Sequence, residues 1–322
     1  MLIVLATSPR VAPGLLSWEA WQALRSAELV LAAPGHPQLP ALEAAEIAYR
    51  TTDDGPAADL PTGAGTVVWL PEPGADPAVP PRARLLRGSA DLPGAHLIDL
   101  VATMDRLRRN CPWDARQTHE TLAPYLLEEP YEALDALESG DQEAFREELG
   151  DVLLQVVFHA RVAAEREDGT GYTIDDVADG IVAKLVRRHP HVFADVTVSG
   201  ADEVHRNWDD IKKTERAEKA GRTGVPAAAD GLPSSLDGVP FGQPALALAA
   251  QLQRRAERAG VPADLARLEV DDVGEPDGSG DHIGRALFQL VARAREAGRD
   301  PEMELRAAAR SYRDLVRAWE RS

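Results

Sequence analysis

Residues 126–151, LLEEPYEALDALESGDQEAFREELGD, carry two groups of carboxylates at helical spacing on either side of a short turn. The acidic side chains at these spacings are Glu128, Glu129, Glu132, Glu148 and Asp151. Residues three or four apart share one face of an α-helix, so each group projects from one side of its helix. Ser139–Asp141 is typical of a turn with an aspartate N-cap, which predicts two antiparallel helices. The sequence therefore predicts four or five carboxylates meeting between two helices.

Such a cluster is unfavourable without a counter-charge. Like charges at these spacings destabilise a helix by roughly a few tenths of a kcal/mol per pair, and partial burial adds a desolvation cost. A hard divalent cation is the simplest compensation, and oxygen ligands favour Mg²⁺ or Mn²⁺. The alternative is a solvated acidic face. Against it, Glu148 and Asp151 flank a predicted buried stripe of the second helix. That stripe comprises Phe145, Leu149, Val152, Val156 and Ala160.

The sequence around these carboxylates resembles a known family. EExxE followed by ExxD is typical of the MazG branch of the all-α nucleoside triphosphate pyrophosphohydrolases. Four blocks match that branch in order: NCPWDARQTHETLAPYLLEE, ELGDVLLQVVFHA, KLVRRHPHVFAD and WDDIKKTERAEK. The resemblance covers roughly residues 96–220. It implies a mainly α protein with a MazG-like helical bundle, preceded here by a small α/β region.

The resemblance also implies an activity and a set of site residues. The reaction would be hydrolysis of a nucleoside triphosphate between its α- and β-phosphates, with Mg²⁺ as cofactor and Mn²⁺ as the alternative ion. The implied metal ligands are Glu129, Glu132, Glu148 and Asp151. Glu128 is the candidate general base and could equally bind a second ion. The implied nucleotide contacts are Lys184, Arg188, Trp208 and Lys212.

Pro130 lies within the first acidic group, in EEPYE. Proline removes one backbone hydrogen bond and disfavours helical geometry in the residue before it, here Glu129. The MazG branch usually has a different residue at this position. We therefore expect a kink in the first acidic helix next to two of the implied metal ligands.

Three segments are predicted: residues 1–95, 96–220 and 221–322. The first opens with apolar runs at Leu2–Ala6 and Glu28–Ala33 that predict buried strands with a helix between them. This opening resembles the start of a tetrapyrrole methylase domain. The glycine-rich turn of that family is absent after the first run, so we expect a vestigial region without methyltransferase activity.

The third segment begins with a linker and ends in a sequence that resembles a degenerate second MazG repeat. IGRALFQLVARA occupies the place that LGDVLLQVVFHA has in the central segment. His282 and Arg285 stand at the two ExxD positions, so both carboxylates are lost. We expect this repeat to serve packing or dimerisation instead of chemistry.

Charge and composition limit which partners and which cellular location we expect for the chain. Its net charge of −18 disfavours nucleic acid as a partner, because nucleic-acid binding needs a basic surface. A single cysteine, Cys111, fits a reducing cytoplasm. We see neither a signal peptide nor an apolar run of the ~18 residues that a membrane span needs. We expect a cytoplasmic protein, a homodimer as in the MazG family, that binds nucleoside triphosphates.

Other functions are compatible with parts of this pattern. A ferritin-like di-iron protein needs Glu-x-x-His motifs, and none of the eight histidines has a glutamate three residues before it. A non-catalytic nucleotide-binding or regulatory scaffold stays open, since two of the three segments look degenerate. Among enzymes, a narrow dUTP or dCTP pyrophosphatase or a phosphoribosyl-ATP pyrophosphohydrolase stays open beside a broad or house-cleaning enzyme.

Overall fold

A computed structural model describes most of the chain, in two compact units, Met1–Val204 and His205–Ser322. The predicted division into three segments remains a prediction. The residues described are 1–53, 65–74, 77, 79–194, 196–200, 203–204, 207–208, 211, 214–215, 234–268 and 281–322.

The first unit begins with a five-stranded parallel sheet in the order β3-β2-β4-β1-β5. Its strands are β1 Leu2–Ala6, β2 Leu29–Ala32, β3 Arg50–Thr51, β4 Val67–Leu70 and β5 Arg84–Arg87. The helices that precede β2 and β3 are α1 Trp18–Ser26 and α2 Leu39–Ala44. The predicted small α/β region is confirmed, including the strand–helix–strand opening.

Burial differs between the central strands and the edge strands of the sheet, in keeping with the strand order. The central strands are apolar and buried, as parallel strands covered on both faces should be. The two edge strands, β3 and β5, carry exposed arginines, which discourage pairing with another chain. Apolar side chains from α1 and α2 complete the core on one face of the sheet, including Leu24 and Leu42.

The helical part of the first unit follows the sheet. Its elements are α3 His96–Asn110, a 3-10 turn Asp114–Arg116, α4 His119–Ser139, α5 Gln142–Ala163, α6 Ile174–Arg188 and α7 Pro190–Phe193. Arg10, in the loop after β1, ties the sheet to these helices, because its guanidinium pairs with Asp91 and with Asp99 of α3. The mainly α fold class is confirmed.

The turn between α4 and α5 is the one that the sequence predicts. Gly140 has a φ of 80°, the left-handed conformation that ends many helices. Asp141 is the N-cap of α5, and its carboxylate accepts hydrogen bonds from the backbone N–H groups of Glu143 and Ala144 at 3.0 and 3.1 Å. The two helices therefore run antiparallel and pack together.

Proline does not end α4. The helix continues from His119 to Ser139 through both Pro124 and Pro130. The Thr118 capping box fixes its first turn, and tertiary packing against α5 outweighs the two backbone hydrogen bonds that the prolines cannot make.

The predicted apolar stripe of α5 is wrong in part. Leu149 and Val156 are 48% and 39% exposed, whereas Gln155 is buried together with four apolar side chains. Of the predicted stripe, Ala160 is buried, and Phe145 and Val152 are half-buried. The four apolar side chains are Val157, Phe158, Ala160 and Ala163.

The second unit is helical in its described parts, with α8 Ala245–Arg258, α9 Ala263–Ala266, α10 Asp281–Glu296 and α11 Pro301–Glu320. Helices α8 and α10 pack together through Gln253, whose amide donates to the backbone oxygen of Phe288 at 2.7 Å. Within the described ranges, no helix combines the length and apolarity that crossing a membrane requires.

Candidate active site

Three carboxylates meet between α4 and α5. Glu129 comes from α4, and Glu148 and Asp151 come from α5. One carboxylate oxygen from each residue lies within 4.8 Å of the other two. Glu129 and Glu148 are half-buried and Asp151 is exposed, so the cluster lies at the edge of the helix interface.

The packing face of α4 explains why Glu129 belongs to this group. Leu122, Ala133 and Ala136 are buried and lie seven before, four after and seven after Glu129, so all share its face. The two alanines have small side chains, which allow the helices to approach closely. Glu132 is rotated from Glu129 by roughly 60° around the helix, and Glu128 by roughly 100°. Both are exposed beside the cluster.

Electrostatics at the cluster are unfavourable for three ionised groups. Desolvation raises the pKa of Glu129, and the charges of Asp151, Glu132, Glu128 and Glu148 raise it further. Desolvation also raises the pKa of Glu148, followed by the charges of Glu132 and Asp151. The charge of Glu132 therefore raises the pKa of both half-buried carboxylates, Glu129 and Glu148, although the Glu132 oxygens lie outside the three-oxygen group. A divalent cation would reverse this repulsion.

The four predicted nucleotide contacts are placed unequally. Lys184 is exposed and Arg188 is half-buried on α6, which packs against α5. Trp208 is a half-buried helical residue of the second unit. Lys212 lies outside the described residues, so its contact with the nucleotide remains a prediction, as do the other three.

Sequence reasoning missed three polar residues on the buried side of this helix pair. Gln155 is only 5% exposed. One turn further on, His159 faces His119 of α4, with their Nδ1 atoms 2.8 Å apart and their rings stacked. Burial and the neighbouring imidazole lower the pKa of His159. The spacing 151, 155, 159 on one helix was the available signal.

Comparisons with known proteins identify relatives of the part of the chain that carries this cluster. A family model for the MazG nucleotide pyrophosphohydrolase domain matches residues 117–193, which contain all three clustered carboxylates. The nucleoside triphosphate pyrophosphohydrolase of Escherichia coli K12 is 37% identical over 240 residues, 69% of this chain and 86% of that protein. A Streptomyces cacaoi protein described as an uncharacterised 26.1 kDa protein is 47% identical over 241 residues, 74% of this chain and 89% of that protein.

A third relative is the nucleoside triphosphate pyrophosphohydrolase of Mycolicibacterium smegmatis. It is 39% identical over 234 residues, which are 73% of this chain and 62% of that protein. The matches together define a helical hydrolase that acts on phosphoric anhydrides. The chain belongs to the MazG family of nucleotide pyrophosphohydrolases.

Proposed function

We propose that the protein is a cytoplasmic, Mg²⁺-dependent nucleoside triphosphate pyrophosphohydrolase of broad or house-cleaning specificity. It would convert a nucleoside triphosphate and water into the monophosphate and diphosphate. The observation that supports this most is the group of three carboxylate oxygens within 4.8 Å, contributed by two packed helices in the segment that the family model matches.

The residues at this cluster fit a hard cation. All three side chains offer oxygen, the ligand atom that Mg²⁺ prefers. The pKa values of Glu129 and Glu148 are raised because burial and neighbouring carboxylates disfavour their charged forms, and a cation would stabilise those forms. Glu129, Glu148 and Asp151 would hold the ion, with Glu132 as the fourth ligand. When bound, Mg²⁺ neutralises phosphate charge and stabilises the charge that develops during phosphoryl transfer.

The remaining residues would bind and orient the nucleotide. Lys184 and Lys212 would pair with phosphates as point charges, and Arg188 would present a planar, forked donor to them. Trp208 would pack against the base or sugar. Glu128, exposed beside the cluster, would accept a proton from the attacking water as general base.

We also propose that the protein acts as a homodimer. Large apolar side chains are exposed on three neighbouring helices of the first unit, including Leu126, Leu149 and Ile181. Several large apolar side chains exposed on adjacent helices favour an interaction surface there. Light scattering on the purified protein tests this proposal, because a single-chain mass would contradict it.

Product analysis tests the proposed activity. The protein is incubated with a panel of canonical, oxidised and deaminated nucleoside triphosphates, with Mg²⁺ and separately with EDTA. We expect diphosphate release in Mg²⁺ and none in EDTA. Orthophosphate release would indicate a phosphatase, diphosphate from dUTP or dCTP alone would indicate a narrow enzyme, and no release would indicate a nucleotide-binding scaffold.

A further inference from the structure

Gln155 lies on the same face of α5 as the acidic cluster. It follows Asp151 by four residues and Glu148 by seven, and both spacings return to one side of an α-helix. Side chains on a helix lean toward its N-terminus, so a side chain at position 155 extends over the turn that carries Asp151. Position 155 therefore lies on the cluster's side of α5, one turn after Asp151.

The side-chain oxygen of Gln155 is buried without a partner. The residue is 5% exposed, and its Oε1 accepts no hydrogen bond from the described part of the chain. Buried polar atoms in proteins nearly always have partners, and an exception calls for an explanation. Every other buried residue of α5 is apolar, so leucine or methionine would fill the same space without leaving an acceptor unpaired.

Gln253 of the second unit is a second buried glutamine in the same chain, and both groups of its amide have hydrogen-bond partners. It is 1% exposed. Its Nε2 donates to the backbone oxygen of Phe288 at 2.7 Å, and its Oε1 accepts from Arg295 at 3.1 Å. The Gln253 amide thus holds two helices together with both ends paired, which Gln155 does not do.

We propose that Gln155 is a catalytic residue that orients the attacking water: its Oε1 accepts a hydrogen bond from the water that attacks the triphosphate. The proposal rests on the proposed pyrophosphohydrolase function. An amide oxygen needs a donor as its partner. The cluster carboxylates and ionised phosphate oxygens are all acceptors, whereas water can donate to Gln155 and still present a lone pair to phosphorus; the other donors of the substrate lie on its nucleoside, and the KM of the variants tests for a contact with them.

The step balances with the groups already named. The water oxygen forms a bond to phosphorus while the bridging P–O bond breaks, and diphosphate leaves with that electron pair. The water proton passes to the general base, Glu128 in this account. Gln155 takes no proton, because a neutral amide oxygen is a weak base; it fixes the direction of the water lone pair.

Two apolar variants of matching size, Gln155→Leu and Gln155→Met, test the proposal by diphosphate release and thermal unfolding. We expect kcat to fall on the order of 10²-fold, because misplacing a reactant by about 1 Å has that effect, while KM changes little. We expect Tm to stay equal or rise, because an unpaired buried acceptor is removed. The matched control Gln253→Leu removes two hydrogen bonds and should lower Tm.

The two apolar variants separate the possible outcomes. Unchanged kcat in both variants, with an active wild type, would overturn the role of Gln155 and leave the proposed function standing. A raised KM that differs between bases, with kcat retained, would also overturn it, because Gln155 would then contact the nucleoside. No turnover by the wild type would refute the proposed function itself.

Discussion

Neutralising one clustered carboxylate should stabilise the protein without metal and abolish its stabilisation by metal. Glu129→Gln keeps the shape of the side chain and removes the charge that α4 contributes to the cluster. In EDTA the variant should unfold at a higher temperature than the wild type, because repulsion from the two α5 carboxylates is relieved. In Mg²⁺ the order should reverse, because the wild type alone keeps the complete ligand group.

The size of the effect follows from the geometry. For one pair of unit charges at 4.8 Å, Coulomb's law gives about 0.9 kcal/mol at the dielectric constant of water and about 3.5 kcal/mol at an effective value of about 20. Glu129 is half-buried and solvent screens part of the interaction, so we expect about 1–2 kcal/mol. For a unit of this size, that corresponds to a Tm increase of about 2–8 °C.

Thermal unfolding followed by circular dichroism measures the difference at low and high salt. The Debye length falls from about 10 Å at 0.1 M salt to about 3 Å at 1 M, so the increase in EDTA should shrink with salt. Glu128→Gln is the matched control: its charge acts less strongly on Glu129 than that of Asp151, and it should give a smaller rise. A Tm in EDTA that is unchanged or lower for Glu129→Gln would show that the clustered carboxylates do not repel one another measurably.

Three further changes test the scaffold. Glu165→Gln should lower Tm at pH 7, because pairing with Arg108 lowers the pKa of Glu165. This stabilisation is complete above the unfolded pKa of about 4.3 and is lost as pH falls below it through the lower folded pKa. A pH series of Tm should therefore show the deficit shrinking as pH falls below about 4. Pro130→Ala should raise the free energy of unfolding by up to about 3 kcal/mol, and Tm with it, because one backbone hydrogen bond of α4 is restored. Thr173→Ala removes the cap of α6 and should cost about 1 kcal/mol in denaturant unfolding.

Short-range sequence patterns were enough to predict the antiparallel pair of helices, α4 and α5, that carries the clustered carboxylates. The ExxD spacing places Glu148 and Asp151 on one face of α5, and Gly140 and Asp141 predict the turn that brings α4 beside it. These signals are local, so no long-range information was needed. The rotation of α4 about its own axis, which decides which of its side chains face α5, was not predictable from local signals. It depends on how Leu122 and the two alanines pack against α5, and that packing turns Glu129 inward and leaves Glu132 beside the group.

The buried face of α5 was the main error, and its cause is physical. Leu149 and Val156 form a regular apolar stripe, but periodicity does not say which of two adjacent faces a neighbouring helix covers. Gln155 was missed for the opposite reason, because a polar residue in a helical pattern is normally a surface residue. Pro130 lies inside α4 as expected, because tertiary packing overrides the local preference of proline against helix.

Diphosphate release by Glu148→Gln in Mg²⁺ tests whether the carboxylate cluster is the active site, with Glu147→Gln as the control that removes the adjacent charge outside the three-oxygen group. Helical content is followed by circular dichroism in both variants. We expect Glu148→Gln to lose turnover while retaining its helices, and Glu147→Gln to stay active. Substantial activity in a folded Glu148→Gln variant would contradict the assignment of the carboxylate cluster as the active site.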